Sequence, residues 1–255
     1  MVPVVRPALA AVRAAGVAAA DGLCSRGGAI VAPHDRLIKS WTANAAAWTD
    51  AVRSGRIESR RLATAAAIEQ ALLALSPARV LDVGCGEGWL CRALAAHGIE
   101  AVGIDVSAPL VEAARAAGGG RFELLRYAEL ADAAPRLGRF DALACNFALL
   151  ECDIVPMLSD LHRLLAPGGR LVIQTVHPWS ACGDEPYRDG WRLEDFAGIG
   201  DQAFPEPMPW YFRTLATWLA DLSHAGFVID QLQEPAHPDT QRPLSLLLVA
   251  GAADR

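Results

Sequence analysis

A glycine-rich loop after a short apolar run constrains the fold more than any other feature of the chain. Residues 82–88 read Asp-Val-Gly-Cys-Gly-Glu-Gly and lie between Arg79–Val83, typical of a buried strand, and Trp89–Ala96, which has helical spacing. Glycines at such a turn let a ligand approach the backbone closely. Asp105 lies 21 residues after Gly84, at the end of the next predicted strand, where a carboxylate can accept both hydroxyls of a ribose. The sequence therefore predicts a site for a nucleotide-like ligand.

The pattern after the loop alternates between predicted strands and helices. Further strands are predicted at 100–104, 121–126, 139–145 and 170–176, and helices at 89–96, 108–117 and 154–165. This alternation favours an α/β fold with a parallel sheet. Phe227–Gln233 and Leu244–Ala250 are predicted to close the chain as an antiparallel pair, because no helix joins them. Ser59 is a plausible N-cap for an earlier helix over 60–75.

Four stretches resemble the motifs of one family, the class I S-adenosylmethionine-dependent methyltransferases. They are Val80–Gly88, Gly103–Ser107, Phe140–Leu143 and Leu164–Leu171. The nearest type is that of the small-molecule O-methyltransferases of ubiquinone biosynthesis. The resemblance implies a Rossmann-like seven-stranded sheet of order 3-2-1-4-5-7-6 with strand seven antiparallel and helices on both faces. It also implies S-adenosylmethionine as cofactor and S-adenosylhomocysteine as product.

The resemblance also assigns residues to the cofactor. By position these are Asp82, Gly84, Cys85, Gly86, Gly88, Asp105, Val106, Tyr127, Ala128, Asn146 and Phe147. The chain departs from the family at one point, since many relatives carry an acidic residue for the adenine amine where this chain has Arg126 and Tyr127. Adenine contact is therefore expected from the backbone at Tyr127 and Ala128, or from ring stacking.

The acceptor site is expected over the carboxyl ends of strands four and five. Methyl transfer from a sulfonium is an in-line displacement, so alignment and exclusion of water matter most, and a general base helps when the acceptor is a hydroxyl. His177 follows strand five, and His237 lies in the loop joining the last two strands on the same face. We predict His177 as the base because strand five lies nearer the cofactor. The alternative for either histidine is a loop residue bonded to backbone.

Residues 177–225 are predicted to form a lid between strands five and six. The segment is rich in aromatic residues, which favours an apolar or aromatic pocket, although the rings could instead form the lid's own core. Helices within residues 34–76 are expected to cover the opposite side. The candidates for substrate binding are Trp41, Trp48, His177, Trp179, Tyr211, Arg213 and His237.

Composition excludes several classes of partner. The net charge is −6 and Lys39 is the only lysine, so the basic face of a nucleic-acid-binding protein is missing from the sequence. We expect no membrane span, because no apolar run is long enough. Cysteine and histidine spacing predicts no metal site. We expect a cytoplasmic protein with one domain at 34–255 after a poorly ordered extension at 1–33. The sequence does not specify the oligomeric state.

Transfer of a methyl group to a small aromatic or quinone-like molecule, preferably on oxygen, is therefore the predicted function. Two alternatives stay open: a protein methyltransferase with a peptide groove under the lid, and a non-catalytic S-adenosylmethionine-binding protein. A nicotinamide oxidoreductase is disfavoured by the glycine spacing and the closing strand pair. Residues 146–149, Asn-Phe-Ala-Leu, lack the Asn/Asp-Pro-Pro-Tyr/Phe motif of enzymes that methylate exocyclic or amide nitrogens.

Overall fold

A seven-stranded, mostly parallel sheet forms the centre of the fold. The computed structural model describes residues 33–199 and 204–253. The strand order is β3-β2-β1-β4-β5-β9-β8, which confirms the predicted order 3-2-1-4-5-7-6. The sheet strands are β1 (Arg79–Val83), β2 (Glu100–Asp105), β3 (Arg121–Leu124), β4 (Phe140–Asn146), β5 (Leu165–Val176), β8 (Phe227–Gln233) and β9 (Ser245–Ala252).

The closing strands pair as the sequence predicts. β9 runs antiparallel to both β5 and β8, so β8 is parallel to the first five strands. β5 begins earlier than the predicted 170–176, because Leu165 pairs with Phe140 before a register shift.

Helices cover both faces of the sheet, and each face has its own apolar core. The helices are α1 (Pro33–Arg53), α2 (Ala65–Ala74), α3 (Trp89–Ala96), α4 (Ala108–Ala117), α5 (Leu130–Leu137), α6 (Val155–Leu164), α7 (Pro178–Cys182) and α8 (Leu215–His224). None of these helices has the length and apolarity needed to cross a membrane. The predicted extension at 1–33 lies outside the described residues, except that Pro33 begins α1.

The lid contains a strand pair that the sequence analysis missed. β6 (Gly190–Glu194) and β7 (Met208–Phe212) form a separate antiparallel hairpin. The hairpin and α1 share a third apolar core. In contrast, α8 packs into the core of the main sheet through Trp218 and Leu222. The part of the predicted lid that stands over the strand ends therefore precedes α8.

The Ser59 cap prediction is wrong. Ser59 has helical backbone angles and its side chain makes no capping bond, because the helix already begins before it. A π-helical turn at Arg60–Thr64 then leads into α2. The Thr64 carbonyl accepts a 2.8 Å hydrogen bond from Gln174 on β5. Such single π turns are frequent at functional sites, and Arg60 is the first residue of this one.

Gly88 packs the start of α3 against its neighbours. Its φ is +82°, and a Cβ there would lie 2.8 Å from the Phe122 ring and 3.0 Å from Ala114 Cβ. Gly98, at the other end of α3, has a similar φ of +77° but open space around it. Substitutions at Gly88 and Gly98 therefore separate the energetic cost of the left-handed backbone from the cost of the close contact with Phe122.

We expect Gly88→Ala to lower the free energy of unfolding by about 2–4 kcal/mol, since a left-handed alanine also meets a packed ring. Gly98→Ala should cost only about 1 kcal/mol, from the backbone alone. Chemical denaturation of the two variants measures the difference. Equal losses would mean that the contact with Phe122 is relieved without cost.

Candidate active site

The loop after β1 and the segment after β4 cross at the switch point of the sheet. Gly84 has a φ of +74°, and a Cβ on it would lie 2.5 Å from Ala148 Cβ and 3.0 Å from the Tyr127 hydroxyl. That hydroxyl donates to the Ala148 carbonyl at 3.2 Å. Only glycine fits at position 84, and the crossing leaves a cleft above the strand ends, where open α/β sheets bind ligands.

Asp105 ends β2 beside this cleft. Its Oδ2 accepts the Gly86 N–H and its Oδ1 accepts the Ser107 N–H, both at 2.8 Å. The side chain is buried, and burial raises the pKa of the carboxyl above its ordinary value. A carboxylate has about four lone-pair positions, so each oxygen can still accept a bond from a ligand.

The loop's own N–H groups are largely occupied. Gly84 and Cys85 both donate to the Ile104 carbonyl, and Gly88 donates to the Cys85 carbonyl. With Gly86 bonded to Asp105, the loop offers a ligand a close backbone surface rather than a set of free donors. A charged group on a ligand must therefore find its partner elsewhere in the cleft.

Arg60 supplies a positive charge in the cleft. Its guanidinium lies 4.8 Å from the Trp89 ring centroid and 5.7 Å from that of Trp48. Within residues 33–199 and 204–253 it has no hydrogen-bond or ion-pair partner. Burial lowers the pKa of Arg60 to about 10, although Glu87 and Asp82 act in the opposite direction. An unpaired guanidinium between two indoles is a ready partner for a carboxylate.

Ion pairs hold α1 against the glycine loop. Glu87 is 1% exposed and accepts from Arg53 of α1 at 2.8 Å and from Arg92 of α3 at 2.6 Å. Two cations thus compensate one buried carboxylate, which offsets its desolvation cost. Trp48, one turn earlier on α1, comes within 3.8 Å of where a Gly86 Cβ would lie. α1 is therefore a wall of the cleft.

A buried amide network holds the end of β4. Gln174 Nε2 donates to Asn146 Oδ1 at 2.9 Å, and Gln174 Oε1 accepts from the Ser245 hydroxyl at 3.2 Å. Phe147 follows with a φ of +55°, and its N–H donates to the Gln174 carbonyl at 2.7 Å. The strained turn at Phe147 is thus fixed from β5 and directs the next residues across the cleft.

The cleft continues from the glycine loop into an apolar end. It contains about 1270 Å³ of empty space, including its solvent-open mouth. The apolar end is lined by Leu37, Ile38, Trp41, Ile57, Leu150, Val176, Met208 and Leu244. His34 and Glu151 lie among these residues, with His34 Nδ1 2.8 Å from Glu151 Oε1.

Comparison with known proteins decides the family. A family model described as a methyltransferase domain matches residues 56–232, more than half of the chain. The chain belongs to this methyltransferase family. The predicted class I S-adenosylmethionine-dependent methyltransferase is thereby confirmed, as is the prediction that the chain is an enzyme.

The curated relatives and solved structures that resemble this chain are also methyltransferases. A ubiquinone biosynthesis O-methyltransferase of Xylella fastidiosa is 39% identical over 190 residues, which cover 61% of this chain and 75% of the relative. A Mesorhizobium loti S-adenosylmethionine-dependent methyltransferase has 27% identity and a TM-score of 0.54, covering 71% of this chain and 95% of that one. The fold also matches Burkholderia thailandensis 1,6-didemethyltoxoflavin-N1-methyltransferase, with 22% identity, a TM-score of 0.59 and coverage of 90% and 94%.

Most residues predicted to contact the cofactor lie in the cleft of the methyltransferase. Those that line it are Asp82, Gly84, Cys85, Gly86, Asp105, Val106, Tyr127, Asn146 and Phe147. Gly88 and Ala128 do not. Gly88 packs against Phe122 instead, and Ala128 is exposed on a 3₁₀ turn at Tyr127–Glu129.

Two of the predicted substrate-binding residues, Trp41 and Trp48, also line the cleft. Tyr211 and Arg213 border a smaller, second pocket instead, and Arg213 is buried with its Nε 3.0 Å from Asp221 Oδ2. Trp179 is 71% exposed and packs beside Tyr187, away from the cleft.

The two predicted histidines lie outside the cleft lining. His177 Nε2 is 2.7 Å from Glu234 Oε1 on the connection to β9. The His237 ring accepts N–H bonds from Asp239 and Thr240 within its own loop. The alternative interpretation, a loop residue bonded to backbone, describes His237, whereas His177 pairs with the Glu234 side chain. The geometry therefore gives no support to His177 as the base.

Sequence reasoning did not single out Arg60, His34 or Glu151, all of which line the cleft. Arg60 is in a helix that the sequence analysis treats only as a cover for the cleft. His34 lies at the edge of the predicted extension. Glu151 follows β4 by five residues, in a segment without regular structure. All three lie outside the recognised motifs, so the local sequence pattern gave no signal for them. No group of three or more His, Cys, Asp or Glu side chains in the described part of the chain could hold a metal ion.

Asp82 makes the electrostatics of the cleft testable. It is 2% exposed, and burial raises its pKa to about 7, with the Cys91 thiol 3.7 Å away acting in the opposite direction. The folded protein therefore keeps a proton, between the ordinary carboxyl pKa and about 7, that the unfolded chain releases. Stability from this group is present at low pH and is lost as the pH rises through that window.

We expect the Asp82→Asn substitution to remove the loss of stability that accompanies rising pH. The free energy of unfolding of the variant minus that of the wild type should increase by roughly 3 kcal/mol between about pH 5 and about pH 8. Urea denaturation across this range measures it. Asp132→Asn, at an exposed position of α5, is the control and should give a flat difference. A flat difference for Asp82→Asn as well would contradict the raised pKa.

Proposed function

We propose that this methyltransferase transfers the methyl group of S-adenosylmethionine to a hydroxyl of a small, apolar, aromatic acceptor. The observation that carries this proposal is a single cleft that joins the glycine loop and Asp105 to an apolar end walled by α1, the segment after β4 and Met208 of β7. One end suits a nucleoside, and the other suits an apolar molecule of metabolite size. The O-methyltransferase names of the curated relatives support the same reaction.

The residues at the nucleotide end fit the cofactor. In this proposal Asp105 accepts the ribose hydroxyls with its remaining lone pairs, and Arg60 pairs with the carboxylate of the methionine part. Cys85 and Gly86 offer close backbone approach, while Tyr127 and Phe147 border the same space. The cofactor supplies an activated sulfonium methyl group, and the protein's residues bind, orient and exclude water.

The contacts between α1 and the lid favour a small molecule over a peptide as the acceptor. Asn44 of α1 forms a paired amide contact with the backbone of Glu206, with Nδ2 2.6 Å from the carbonyl and Oδ1 3.2 Å from the N–H. Lys39 adds an ion pair to the Glu206 side chain at 2.9 Å. These bonds fasten α1 to the lid segment before β7, which supports a walled acceptor end rather than a peptide groove.

Asp105→Ala should weaken binding of S-adenosylhomocysteine by about 100-fold, because two hydrogen bonds to a charged acceptor are lost. Isothermal titration calorimetry measures the affinity. Asp132→Ala is the control at an exposed site, and thermal unfolding checks that both variants fold. Unchanged affinity in Asp105→Ala would exclude the proposed ribose contact.

A methyl-transfer screen tests the acceptor class. We expect turnover with phenols, catechols and hydroquinols, read by production of S-adenosylhomocysteine, and little with amines, carboxylic acids or peptides. Leu150→Glu, which puts a charge among the apolar lining residues, should reduce turnover with the phenols while cofactor binding is kept. Turnover confined to peptides or amines would reject the proposed acceptor.

A further inference from the structure

A histidine and a carboxylate form a pair at the apolar end of the cleft. His34 is in the first turn of α1, and Glu151 follows β4, so 117 residues of chain separate them. His34 Nδ1 and Glu151 Oε1 are 2.8 Å apart, and both residues line the cleft. A carboxylate only accepts hydrogen bonds, so Nδ1 carries the hydrogen, and in the neutral ring Nε2 then has a lone pair.

The backbone that carries Glu151 is held by the lid. The Glu151 carbonyl accepts from the Arg213 guanidinium, and the Leu150 carbonyl accepts from the Tyr211 N–H at 2.8 Å. Arg213 is itself fixed by Asp221 at 3.0 Å. The backbone at Glu151 is therefore tied to β7 and α8, and its side chain reaches across to α1.

The other ionisable groups of the cleft belong to its nucleotide end or have assigned partners. They are Arg60, Asp82, Cys85, Glu87, Asp105, Arg126 and Tyr127. Asp105 and Glu87 already hold the glycine loop, and the Tyr127 hydroxyl donates to a backbone carbonyl. Nε2 of His34 has no partner in the part of the chain that the structure describes. It is the nitrogen base that borders the apolar end.

We propose that His34 is the general base for the acceptor hydroxyl and that Glu151 is its positioning residue. This inference rests on the proposed O-methylation. His34 Nε2 takes the hydroxyl proton while an oxygen lone pair forms the new bond to the methyl carbon. The electron pair of the broken sulfur–carbon bond stays on sulfur, which becomes a neutral thioether. The proton remains on the imidazole, where the Glu151 carboxylate stabilises the positive charge.

The first test reads proton transfer without turnover. 4-Nitrophenol is added to the protein saturated with S-adenosylhomocysteine, at a pH below the pKa of the free phenol, and the nitrophenolate absorbance is recorded. Wild type should raise this band and His34→Ala should not. His97→Ala is the matched control, because His97 makes a similar 3.1 Å pair with Glu69 on the exposed surface. Absence of the band in wild type, or its persistence in His34→Ala, overturns the proposal.

The second test uses acceptor acidity. His34→Ala should lower kcat by about 100-fold or more with weakly acidic phenols. With nitrocatechols, which ionise without help near neutral pH, the loss should shrink to a few-fold. An equal loss with both acceptors would mean that His34 is not a base.

Glu151→Gln separates charge from hydrogen bonding. The amide oxygen still accepts from Nδ1, but the negative charge that stabilises the imidazolium is gone. The nitrophenolate band should weaken and Glu151→Asp should restore part of it, whereas a purely structural role would leave the band unchanged in all three proteins.

Calorimetry with S-adenosylhomocysteine distinguishes failure of the proposed function from failure of the proposed base. Loss of binding in wild type rejects the proposed function, whereas retained binding without the band rejects only the base.

Discussion

The close crossing of Ala148 over Gly84 is the constraint on which the site depends. A Cβ at position 84 would lie 2.5 Å from Ala148 Cβ, so the segment after β4 can cross there only above a glycine. The crossing brings the ends of β1 and β4 to one point. Asp105, at the end of β2, accepts the Gly86 N–H and so holds the glycine loop at the same place. The parallel sheet supplies this edge because the carboxyl ends of its strands meet there.

α1 converts the open edge into a cleft. Its last turn is bound to Glu87 through Arg53, its middle to Glu206 through Asn44, and its first turn to Glu151 through His34. Only the first of these bonds involves the glycine loop, and the others reach the lid and the segment after β4. One helix thus spans both ends of the cleft. The same packing of this helix forms a wall of the acceptor end and places His34 there.

The sequence predicted the parts of the site that are local to motifs. Gly84, Gly86 and Asp105 follow from the need for close approach and a ribose acceptor next to adjacent strands, and their positions relative to the strands are set by short connections. His177 lies outside the cleft lining for a different reason. Its place at the end of β5 is as predicted, but Glu234 lies 2.7 Å away, and a bond to a distant loop cannot be read from local pattern.

The sequence by itself determined the fold class through the period of its apolar residues, and it determined the strand order and the nucleotide end of the cleft through the resemblance of its motifs to a known family. These patterns act over a few residues. The tertiary structure alone decided which aromatic rings are lid core, where Arg60 points, and that His34 meets Glu151. These are contacts between residues far apart in the chain. Their geometry depends on how α1 and the lid pack on the finished sheet, and no short-range pattern encodes that packing.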